Sequence, residues 1–278
     1  MKPLLITAAL LWAHTAFAHE FWLMPERFSP APRAPVEVAL RVGEHFVGDP
    51  VGFGRPIAEA LRVFGAGTEQ VLTPLLPADL GQDRVALAFE KPGTQLIALD
   101  TQAFSVTLAP DTFNAYLREE GLDHVLAQRQ ARPADASPVR ERYRRHVKTL
   151  LRVGGRSDDT HRRTIGQTLE IVPIANPLTL APGQALSMQV LFEGRPLGQA
   201  LLRAWHQRGG QLTVLRTRTD TRGQASLALP WRGVWMVSVV HMVPSTDPAR
   251  FDWDSHWGNL TFETAPPARP RGPGGPAR

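Results

Sequence analysis

Short segments of alternating apolar and polar residues, each cut off by proline or glycine, constrain this chain most. Such segments are too brief for stable helices and bury one face only when paired as strands. Residues 35–42 (PVEVALRV) show the pattern, and segments 57–64, 69–72, 84–90 and 94–99 follow, with turns at 65–67, 80–82 and Pro92-Gly93. Strand signals return at 169–172, 186–192, 201–205, 212–219, 225–229, 234–242 and 257–262. The Gly-bearing turns 194–198 and 219–223 each separate two of these strands. Strands at this spacing predict a mainly β chain built as antiparallel sandwiches.

The rhythm breaks at Ala109. Pro110-Asp111 opens a stretch with Phe113, Tyr116 and Leu117 on one side, and 122–130 continues it beyond Gly121. In 139–152, Val139, Tyr143, Val147 and Leu150 fall at helical spacing. The expected organisation is therefore two immunoglobulin-like or transthyretin-like β-sandwich domains, 19–108 and 166–264, joined by a helical insert over 109–165. The Pro/Gly/Arg-rich tail 265–278 has the composition of a disordered segment.

The first 18 residues read as a secretory signal peptide: Lys2, an apolar run over 4–13, then Ala16-Phe17-Ala18 as a small-x-small cleavage site. The run is shorter than the roughly 20 apolar residues that cross a bilayer, and no later stretch is long and apolar enough. The expected mature chain is periplasmic and begins at His19. The 278 residues include no cysteine, which excludes disulfides, zinc–thiolate sites and cysteine nucleophiles. A net charge of +5 draws on Arg140, Arg142, Arg144, Arg145, Arg162, Arg163 and the tail. For an exported chain these imply solvated faces or anionic contacts rather than nucleic acid. Nucleophile-elbow, zincin, phosphate-loop and dinucleotide signatures are all absent, so a binding protein is expected rather than an enzyme.

Any metal must then be held by nitrogen, oxygen or thioether donors. A terminal His19 offers its α-amine and imidazole to one ion in a single chelate, and one further histidine would complete a histidine brace. His45 lies in a loop beside Glu44, which could bind or orient it. His241 ends an apolar strand next to Met242, and His256 sits among Asp252, Asp254 and Ser255 between Trp253 and Trp257. His206 reads as structural. His124, His146 and His161 read as members of solvated faces.

Several of these short motifs, in this order, resemble the DUF4198 family. They are His19-Glu20-Phe21-Trp22-Leu23-Met24-Pro25, Gly43-Glu44-His45-Phe46, Tyr116-Leu117-Arg118-Glu119-Glu120-Gly121-Leu122, and Arg142-Tyr143 with Lys148. Thr219-Asp220 with Gly223, Trp235, His241-Met242 and the run from Trp253 to Glu263 complete the set. The family is similar to extracytoplasmic components associated with nickel and cobalt uptake, and its N-terminal histidine has suggested copper-brace chemistry. The resemblance implies capture or delivery of a divalent transition metal (nickel, cobalt or copper) to an inner-membrane metal transporter. Carried over by position, the ligands would be His19, His45, His241 and His256. A metal-free interaction module of the cell envelope and a brace-type copper oxidase are the alternatives.

Overall fold

The computed structural model describes residues 20–131 and 136–264. The expected signal peptide, His19 and the tail 265–278 lie outside the described residues. The first half carries β1 (Glu20–Pro25), β2 (Val36–Glu44), β3 (Val47–Pro50), β4 (Ala58–Gly65) and β5 (Thr68–Val71). After them come β6 (Arg84–Leu87), β7 (Gly93–Thr101) and β8 (Phe104–Leu108). Two helices, α1 (Pro110–Glu119) and α2 (Asp123–Gln130), precede the long strand β9 (Val139–Val153). The second half carries β10 (Leu169–Pro173), β11 (Ala185–Phe192), β12 (Arg195–Pro196) and β13 (Leu201–Arg208). It ends with β14 (Gln211–Arg218), β15 (Gln224–Ala228), β16 (Val234–Pro244) and β17 (Trp253–Glu263).

Among the described residues these strands form three sheets. The largest runs β14-β13-β16-β17-β9-β7-β4-β5, with β8 also on β9. One small sheet joins β1, β2, β3 and β6, and the other joins β10, β11, β12 and β15. They cover opposite faces of the large sheet. Leu23, Val38 and Leu40 pack with Leu61, Ile97, Leu99, Val147 and Leu151 on one face. Ile171, Met188 and Val190 pack with Leu150, Leu202, Val237 and Leu260 on the other. The helices close the remaining end, where Phe113, Leu117 and Val125 meet Val240, Met242, Trp253 and Trp257. The mainly β sandwich architecture expected from the sequence is what forms. No helix of the described residues is long and apolar enough to cross a membrane.

The helical expectation for 139–152 is overturned. This stretch is β9, antiparallel to β7 and parallel to β17, so it welds the two halves of the chain into one sheet. Beyond residue 146 it is covered on both faces, so Val147 and Leu150 serve opposite cores instead of one helical stripe. Burial of both faces erases the period-2 signal by which a strand is normally recognised.

Candidate functional site

A cleft of about 230 Å³ opens where the first strand begins, lined by Glu20, Glu44, His45, Tyr116, Glu119, Glu120, Arg203 and Trp205. Four elements contribute: the start of β1, the β2–β3 hairpin, the C-terminal end of α1, and β13. His45 and Phe46 are the two loop residues of that hairpin, with φ of 56° and 60°. Both lie in the left-handed region, as in a type I′ turn, which asparagine and glycine normally occupy. A left-handed histidine is uncommon and a left-handed phenylalanine is strained. Surrounding contacts hold the loop. Gln207 Nε2 donates to the His45 carbonyl at 2.9 Å, Phe46 packs on Trp22, and the His45 ring lies 6.1 Å from Trp205. Gly43 and Gly48 face each other across the hairpin, where a Cβ on Gly43 would come within 2.1 Å of the Val47 carbonyl oxygen. The Gly43-Glu44-His45-Phe46 motif thus builds a tight hairpin that sets His45 at the cleft.

Arg203 forms the cleft floor. It projects from the apolar run 201–205 at the start of β13, is 4% exposed, and lies over the Trp205 ring. Its guanidinium donates to Glu20 at 3.3 Å and to Glu120 in a short ion pair, with Glu119 at 3.9 Å. Burial pushes the Glu20 carboxyl up, and pushes Glu120 up to about 7, while Arg203 opposes both shifts. Tyr116 closes the cleft from α1. Its ring stacks on Trp257 at 5.7 Å, and its hydroxyl donates to Glu141 at 3.2 Å. Ser255 also donates to Glu141 and accepts from Trp257 Nε1 at 3.2 Å.

Burial pushes Glu141 up to about 7. Between the unfolded value near 4.5 and 7, the native state therefore holds a proton that the unfolded state has lost, and stability falls as pH rises. Glu141→Gln removes that loss. The stability of the variant relative to wild type is expected to climb by on the order of 3 kcal/mol between pH 4.5 and 8. Urea denaturation at four pH values measures it, and a flat difference would mean that Glu141 is an ordinary carboxylate.

The structure divides the candidate histidines. His45 is in the cleft, whereas His241 and His256 are cross-strand partners on β16 and β17. They belong to a row of four imidazoles. His124 on α2 stacks on His241 with centroids 5.3 Å apart, and its Nε2 bonds the Met242 carbonyl at 2.8 Å. The edge of Phe192 meets both His241 and His256, at 4.5 and 5.3 Å. His256 Nδ1 lies 3.1 Å from His146 Nε2, and His146 Nδ1 lies 2.7 Å from Asp100 Oδ1. Burial, reinforced by neighbouring imidazoles, lowers His241 to about 4 and His256 to about 3. Both rings are therefore neutral near pH 7.

Three expectations need correction. His146 is 4% exposed and His161 is 5% exposed, so neither lies on a solvated face. The β9 arginines are not simply solvated: Arg140 pairs with Asp252 at 2.9 Å, Arg142 with Asp254 at 2.7 Å, and Arg144 with Glu59 at 3.4 Å. Asp252 and Asp254 are consequently structural partners of β9. His206 is buried and stacked on Trp235, as its strand position implies. Met242 packs in the helix-covered core. Among the described residues, no three His, Asp or Glu side chains are already grouped to hold a metal ion.

A search of the curated proteins finds no match. Among solved structures, the chicken interferon gamma receptor alpha chain is similar at 8% identity, over 81% of this chain and 89% of that one. Its TM-score of 0.21 is too low to carry any argument. The sequence matches the family described as a domain of unknown function (DUF4198) over residues 16–243, a span that includes the cleft and His241 and stops short of His256. With most of its length matched, the chain belongs to the DUF4198 family.

Proposed function

We propose that this protein captures a divalent transition-metal ion in the periplasm, nickel, cobalt or copper, and passes it to a membrane transporter. The observation that supports the reading is the place of Glu20. This residue is one peptide bond from His19, and it lines the same cleft as His45. Signal-peptide removal would free the His19 α-amine for chelation together with its imidazole. His45 would add a third nitrogen, and the cleft carboxylates would favour a cation. Such a donor set suits borderline divalent ions, with copper bound most tightly at equal availability. The ion is cargo in this reading, so no catalytic step is assigned to the chain.

The reading is tested by titrating Ni(II) and Cu(II) into protein beginning at His19 and into protein with one extra residue ahead of it. The extension is expected to weaken binding at least tenfold, and His45→Ala to weaken it comparably. Equal affinity of the processed and extended proteins would sink the terminal chelate.

A further inference from the structure

We infer that His146 and His256 form the nucleus of a second transition-metal site, separate from the cleft, with His241 as a third ligand supplied by the neighbouring strand. Geometry is the first argument. His146 Nε2 and His256 Nδ1 face each other at 3.1 Å. Two nitrogens bound tetrahedrally at 2.0–2.1 Å stand about 3.3 Å apart, so the separation already suits an ion, which enters when each ring turns its lone pair toward it and the shared proton moves to His256 Nε2.

The surroundings are those of a ligand pair. Asp100 Oδ1 accepts from His146 Nδ1 at 2.7 Å, which fixes the ring with Nε2 turned toward His256. A carboxylate behind a histidine is the usual outer support of a metal-bound imidazole. Asp100 is itself held by Gln167 Nε2 at 3.0 Å and by Arg62 at 3.4 Å.

His241 completes the set by register. It is directly opposite His256 on antiparallel strands, where opposed Cβ atoms stand about 4.5–5.5 Å apart. A side-chain rotation then brings its imidazole toward the pair. Of the three proposed ligands, His241 lines a second cleft of about 400 Å³, together with His124 and Arg218 among others, which gives an ion a route to that ring. Phe192 walls the site from the side of the small sheet. The competing account is a packed stack of imidazoles with no ligand, and it differs in what zinc does.

The test is Zn(II) titration of the full chain by calorimetry, with side-chain nitrogen NMR of the histidines. Wild type is expected to bind an ion that shifts the His146 and His256 nitrogens. His256→Gln should weaken that event at least 30-fold, and Asp100→Asn 10- to 100-fold. His45→Ala should leave it intact, so this site and the cleft fail independently. Unchanged zinc affinity and stoichiometry in folded His256→Gln would overturn the inference. If that variant does not fold, wild-type nitrogen shifts decide alone: signals unmoved at saturating zinc would overturn it equally.

Discussion

Arg203→Met is expected to lower the unfolding free energy at pH 7 by about 3–5 kcal/mol, the range for removing one partner of a buried ion pair. Arg203 is the cation that Glu20 and Glu120 share, and all three are nearly solvent-free. Without it, two desolvated carboxylates face each other. They escape by protonation, so the loss should be smaller at pH 5 and larger at pH 8. The sign follows from linkage: a carboxyl raised in the folded state costs stability as pH climbs from its unfolded value through its folded one. Glu20→Gln with Glu120→Gln in the Arg203→Met background should flatten that pH dependence. Urea denaturation at pH 5, 7 and 8 checks both. A loss below about 1 kcal/mol at pH 7, in the range of exposed pairs, would show that water reaches the cleft floor.

Strands such as β2 and β11 were legible because only one face of each packs against the large sheet. Where a strand keeps an open or polar face, alternation survives in the sequence, as in residues 35–42. Strand β9 was illegible because the Arg-rich residues ahead of its doubly covered portion imitate an amphipathic helix, whereas β7, covered on both faces too, has no such lead-in and sits between turn signals. A subtler signal was available. Arg140 and Arg142 are two apart, as are Asp252 and Asp254, which is the spacing of complementary charges on paired strands. His45 was legible as a loop histidine beside a carboxylate, but its left-handed backbone was not. His146 was missed because the arginines beside it suggested solvent. The contacts that bury it come from residues 46 and 110 positions away. Arg203 carried one usable clue: a charge inside the apolar run LLRAW must find a buried partner or distort its strand. Which partner it finds depends on a fold that brings residues 20 and 120 to one point.

Lys148→Met should cost a similar 3–5 kcal/mol, for a reason tied to the strand that the sequence concealed. Lys148 and Glu170 are each 1% exposed, and Nζ donates to Oε1 at 3.1 Å. The lysine projects from β9 toward β10 and helps join the large sheet to the smaller one. Burial lowers the Lys148 ammonium, while Glu170 opposes that shift. Glu170 also accepts the backbone N–H groups of Ile165 and Gly166, at 2.9 and 3.1 Å. After Lys148→Met those two donors alone solvate a buried carboxylate, which is too little for a full charge. Adding Glu170→Gln removes the charge and keeps one oxygen, enough for one of the two backbone donors, so the double variant should recover part of the loss. Chemical denaturation of the single and double variants measures this coupling. An additive pair would mean that the ion pair contributes only packing. Recovery would mean that β9 is held at the centre of the sheet by a charge that requires its partner, besides the apolar residues around it.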